Sequence, residues 1–68
     1  MKPTKIQKDF VKLVKKARRQ EVTLEAMALA MATSMSSLSR WARGESIPSR
    51  NTVTRLAPIL EELVAKAS

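Results

Sequence analysis

The sequence predicts an all-α domain of four to five short helices. Three observations carry that prediction. Gly and Pro, which punctuate hairpins and turns, are scarce: one Gly at position 44 and three Pro at 3, 48 and 58. β-Branched residues do not cluster, and no stretch alternates apolar and polar residues for long. Apolar residues instead recur at three- and four-residue spacings, which places them on single helical faces.

A first helix is expected from about Lys5 to Arg19. Thr4 is its N-cap, and Gln7, three residues on, completes a capping box. Ile6, Phe10, Leu13, Val14 and Ala17 form its apolar face, and the other faces are mostly Lys and Arg. Gln20-Glu21-Val22 breaks the pattern. Thr23 caps a second helix, with Glu25 near its positive end. That helix runs to about Met31, with Leu24, Met27, Ala28 and Met31 on one face. Ser34 caps a third, from about Met35 to Arg43. Leu38, Trp41 and Ala42 turn inward; Ser36, Ser39, Arg40 and Arg43 turn outward. Gly44 ends it, as a left-handed residue would. Ser49 caps the last segment, where Val53, Leu56, Ala57, Leu60, Leu63, Val64 and Ala67 keep one helical phase. Pro58 falls inside it, removing one backbone bond and crowding the preceding turn. The unbroken phase favours one kinked helix; two short helices meeting at Pro58 is the alternative.

Length and composition bound the function. A chain of 68 residues makes one domain. At this size only about 60% of the unfolded surface is buried on folding, so a partner subunit would add to a modest stability. There is no Cys, hence no disulfide or thiolate zinc site. There is no His either, which removes the usual general base and the commonest transition-metal ligand. Glu61 and Glu62 are adjacent and diverge on a helix, and Glu21 and Glu25 belong to a capping region. Neither is a catalytic pair, so no enzyme and no cofactor is expected. No apolar run approaches the ~18 residues of a membrane span. The Lys-interrupted segment from Met1 to Arg19 lacks the apolar core of a secretory signal. A cytoplasmic domain is expected. Its net charge of +7, from 13 Lys+Arg and 6 Asp+Glu, asks for a polyanionic partner, nucleic acid first.

The informative constellation is the pair of short helices spanning about 24–43. Only Ala32-Thr33-Ser34 joins them, and so short a turn makes the two cross steeply, as in a helix-turn-helix. The outer face of the second member suits a DNA major groove. Its serines permit close approach and offer hydroxyls, Arg40 has the fork for guanine, and Arg43 can reach a phosphate.

Residues 22–60, VTLEAMALAMATSMSSLSRWARGESIPSRNTVTRLAPIL, resemble the Cro/XRE-type (lambda-repressor-like) helix-turn-helix family without a gap. The matching features are Ala28, apolar Met27 and Met31, apolar Leu38 and Trp41, and the run SRWARGESIPS, which is similar to the family pattern SR-apolar-x-RG-x-x-x-PS. The resemblance implies a compact lambda-repressor-like fold and sequence-specific binding of double-stranded DNA. It implies that Met35, Ser36, Ser39 and Arg40 read bases. It implies phosphate contacts for Thr23, Leu24, Ser34, Arg43, Ser49 and Arg50. Two positions depart from the family. Ala32 stands where Gly is usual, so a left-handed conformation there costs about 1 kcal/mol. Leu24 stands where Gln is usual, leaving only its backbone amide for phosphate.

The expected protein is therefore a small repressor of phage or mobile-element type, acting by operator occupancy. It would bind an inverted repeat as a homodimer, with half-sites about 34–36 Å apart. Ile47, Leu60 and Val64 are the expected dimer contacts, with core closure beneath Pro48 the other role open to Ile47. The alternative is an antitoxin-like chain, or a protein- or RNA-binding module, using the basic first helix. A membrane-surface role is disfavoured because the core needs that helix's apolar face. Residues 1–20 hold eight Lys+Arg and one Asp and so carry the whole +7; residues 21–68 hold five Lys+Arg and five Glu and are neutral. The first helix should supply long-range attraction. Arg40, Arg43, Arg50 and Arg55 are expected to cluster on the groove side.

Overall fold

A computed structural model describes residues 3–67. Among these the chain is all-α, with helices α1 (Lys5–Arg19), α2 (Leu24–Met31), α3 (Met35–Arg43) and α4 (Arg50–Ala67). Each start is set by a hydroxyl. Thr4 Oγ1 accepts from the Gln7 amide at 3.4 Å, while the Gln7 side chain accepts from the Thr4 amide at 2.8 Å, closing the capping box. Thr23 Oγ1 accepts from Ala26 N–H at 3.0 Å, Ser34 Oγ from Ser37 N–H at 3.1 Å, and Ser49 Oγ from Thr52 N–H at 3.3 Å. Each cap satisfies an amide that the helix cannot.

The first three helices also end alike. In each, the chain turns through a left-handed residue: Glu21 (φ 67°), Ala32 (φ 52°) and Gly44 (φ 74°). The next amide then reaches back to the helix: Val22 to Ala17 O at 3.0 Å, Thr33 to Ala28 O at 3.0 Å, and Glu45 to Arg40 O at 2.9 Å. This pairing satisfies carbonyls that the helix leaves open. A Cβ on Gly44 would meet nothing within 4 Å, so the backbone angle, not space, calls for glycine there. Ala32 is exposed and buries no methyl that a glycine would lose. Ala32→Gly should therefore stabilise the fold by about 0.5–1 kcal/mol, since it relieves a conformation costly to any residue with a Cβ. The check is a higher urea midpoint at unchanged slope; an equal or lower midpoint would refute it.

α1 packs on α4 and α3, and α2 packs on α3 and α4. Between them lies one core: Phe10, Val14, Ala17, Met27, Ala28, Met31, Leu38, Trp41, Val53, Leu56, Leu60 and Val64. Phe10 meets Trp41 edge-on, with ring centroids 5.7 Å apart and planes at 76°, the arrangement that the ring quadrupoles favour. Gln7 adds a polar tie. Its Nε2 donates to Pro48 O at 2.9 Å, so the residue that caps α1 also fastens the α3–α4 loop.

Several expectations need correction. Ile6, assigned to the α1 core face, is 56% exposed; Val11, left off it, is buried. Two helices cover α1, so its buried arc is wider than one stripe and is centred away from the first turn. Ile6 instead rims an open groove of about 350 Å³ between α1 and α4. Leu60 and Val64, expected at a dimer surface, lie in the core at 0% and 6% exposure. They share the α4 stripe with Val53 and Leu56, and that stripe is used up against α1 and α2. Ile47 remains exposed, and the residue buried in that loop is Pro48.

Pro58 does not divide α4, which runs unbroken through it. Pro58 and Thr54, whose carbonyl loses its partner, are both exposed, so water can take the missing bond. No helix among the described residues is long and apolar enough to cross a membrane.

Candidate nucleic-acid interface

The outer face of α3 and the start of α2 form one open concavity of about 400 Å³. It is lined by Leu24, Met35, Ser36, Ser39, Arg40 and Arg43. Helical geometry explains the set: Ser36, Ser39, Arg40 and Arg43 follow spacings of three, one and three, a single face. The opposite face of α3 buries Leu38 and Trp41 in the core, which fixes the rotation of the helix. α2 ends at Met31, the turn is three residues long, and α3 begins at Met35. The left-handed Ala32 and the Ser34 cap together reverse the chain within that turn. Leu24 thereby comes beside Met35, although eleven positions separate them.

The side chains on this face are accessible. Met35 is 49% exposed. Ser36 and Arg40 are exposed, and Ser39 and Leu24 are half-buried. Among the described residues Arg40 makes no ion pair. Arg43 does: its Nε donates to Glu45 Oε2 at 2.6 Å, and its Nη2 to Glu45 Oε1 at 3.4 Å. Nothing in the sequence reading singled out Glu45. The available signal was an acid two residues beyond Arg43, across a glycine that turns the chain back.

The residues assigned to phosphate divide into groups. Leu24 and Arg43 line the concavity. Thr23 and Ser34 sit at its edge as the N-caps of α2 and α3. Their oxygens are already engaged, Ser34 Oγ both accepting from Ser37 N–H and donating to Ser37 Oγ at 2.9 Å. What these two positions present outward is the uncapped amides of a helix N-terminus, which carry partial positive charge. Ser49 and Arg50 stand apart at the start of α4, where the Ser49 hydroxyl is paired with Thr52 Oγ1 at 2.9 Å. Arg50 and Arg55 do not line the concavity. Five residues along a helix is a rotation of about 140°, so these two arginines cannot share a face.

Arg40 and Arg43 are the cations of this face. No Lys or Arg occurs from Glu21 to Ser39. Lys5, Lys8, Lys12, Lys15, Lys16, Arg18 and Arg19 of α1 are all exposed and make that helix the basic surface. Comparison of the chain with protein-family models, curated proteins and solved structures returned no match.

Proposed function

We propose that the chain is a sequence-specific double-stranded DNA-binding protein built on a helix-turn-helix. In this reading α2 and α3 form the motif within a lambda-repressor-like domain, and α3 enters the major groove. One observation carries the proposal: Met35, Ser36, Ser39 and Arg40 converge with Arg43 on one accessible face, while the same helix is locked from behind by Leu38 and Trp41. Rigid presentation of a short polar face with a free guanidinium is what base readout needs. Arg40 would take the guanine edge, Ser36 and Ser39 the neighbouring edges, and Met35 a thymine methyl. The amides at the starts of α2 and α3 would hold the backbone on either side.

The basic α1 surface would supply sequence-independent attraction and most of the salt dependence. The domain measures 33 × 21 × 20 Å. Two copies side by side can therefore present their α3 helices one DNA turn apart, about 34–36 Å. We therefore propose a homodimer on an inverted repeat, regulating transcription by occupancy. Of the residues first assigned to the dimer contact, only Ile47, 41% exposed, has surface to give.

The test is selection from a randomised duplex pool, followed by titration of the winner, a scrambled duplex and a single-stranded RNA of equal length. Enrichment of a symmetric motif, bound at least a hundredfold better than the scramble, is the expected result. Equal binding of all three ligands would instead favour the alternative, a polyanion-binding module using α1, and would sink the groove assignment.

A further inference from the structure

We propose that Glu45 is a built-in competitor for the phosphate at Arg43, and that this competition separates loose DNA encounters from docked ones. The inference rests on the DNA-binding reading above.

Glu45 is placed by backbone, not by chance side-chain drift. Gly44, at φ 74°, turns the chain back over the end of α3, and the Glu45 amide donates to Arg40 O at 2.9 Å. That bond fixes the Cα of Glu45 over the last turn of the helix. From there its carboxylate takes Arg43 through two nitrogens, at 2.6 and 3.4 Å. A two-point grip on the guanidinium is also how a phosphate would bind it. The two anions therefore want the same donors. Both side chains are more than half exposed, at 58% and 57%, so an incoming anion has access.

The two arginines of the concavity are thus in different states. Arg40 is open, and Arg43 is occupied. A phosphate that drifts near the surface meets a neutralised Arg43 with a carboxylate beside it, and gains nothing there. A phosphate held in place by the rest of a docked duplex can displace the carboxylate and recover the contact. An exposed pair of this kind is weak enough to yield. Glu45 therefore subtracts more from loose binding than from docked binding.

Glu45→Gln keeps the size of the side chain and removes the competing charge. It lies in an exposed loop, and an unchanged far-ultraviolet circular dichroism melt would confirm that the fold is intact. By fluorescence anisotropy, Glu45→Gln should tighten binding to a scrambled duplex roughly two- to fivefold. The salt dependence should steepen by about 0.9, one added phosphate contact. The selected duplex should gain less, so the ratio of the two affinities falls. In an Arg43→Ala background the same Glu45→Gln change should alter affinity less than about twofold.

Wild-type binding with no effect of Glu45→Gln on either duplex overturns this inference and leaves the DNA-binding reading standing. A full effect that persists without Arg43 also overturns it, because Glu45 would then act as a general negative charge. Failure of the wild type to prefer any duplex overturns the underlying reading, and this one with it.

Discussion

Trp41→Ala should destabilise the fold by about 3–5 kcal/mol. Trp41 is 7% exposed and joins α3 to the rest of the core. Its indole meets Phe10 edge-on across the α1–α3 contact. Truncating a buried Trp to Ala costs about 3–5 kcal/mol, of which the lost ring pair accounts for about 0.5–1.5 kcal/mol. A chain of this length holds a total of roughly 3–10 kcal/mol. The loss therefore takes from about a third of it to all of it. Circular dichroism at 222 nm is the readout, since the only Trp is gone. Leu29→Ala is the control: Leu29 is 84% exposed, and its truncation should move stability by no more than about 0.5 kcal/mol. A folded Trp41→Ala protein with a nearly unchanged midpoint would mean that α3 is held by something other than its inner face.

Arg40→Ala should weaken the selected duplex by roughly 5- to 150-fold, the range of about 1–3 kcal/mol expected for a bidentate arginine–guanine pair. The loss should fall on sequence preference. Discrimination at one base pair should relax while affinity for a scrambled duplex changes little beyond the effect of one charge. The Arg40 side chain is exposed, and its structural bond, from the Glu45 amide, is made by its backbone carbonyl. The substitution therefore leaves the fold in place and isolates the side chain. Ser36→Ala should act in the same direction with a smaller effect, and Arg43→Ala should weaken the selected duplex without relaxing preference at any one base pair. If Arg40→Ala lowers affinity for selected and scrambled duplexes equally, Arg40 is a phosphate contact and the base-reading role is lost.

Much of this fold was legible because its boundaries are chemical. Thr4 with Gln7, Thr23 and Ser34 are helix caps by hydroxyl type and spacing, and the structure uses each of them so. The inward set on α3 followed from period alone. Period also set Ser36, Ser39, Arg40 and Arg43 on one outward face, whereas Leu24 and Met35 joined that set only through the family resemblance. What escaped were quantities that a single helix does not contain. Val11 is buried because two neighbours cover α1, and Ile6 is exposed because it rims the open groove between α1 and α4. Leu60 and Val64 read equally well as core or as contact stripe until α4 has a place in the bundle. The Arg43–Glu45 pair depends on a backbone reversal at Gly44, and residues two apart are not neighbours in any regular helix.

The paired caps have a kinetic consequence. The boundaries of α1, α2 and α3 are closed by bonds that span at most five positions, so these helices and the α2–α3 corner can form from contacts near in sequence. Such contacts carry little loop-closure entropy and fold quickly. The α1–α4 seam is different: it joins the two ends of the chain, and the bond beside it from Gln7 to Pro48 of the α3–α4 loop spans 41 positions. Closing that seam is therefore expected to follow formation of the local corner.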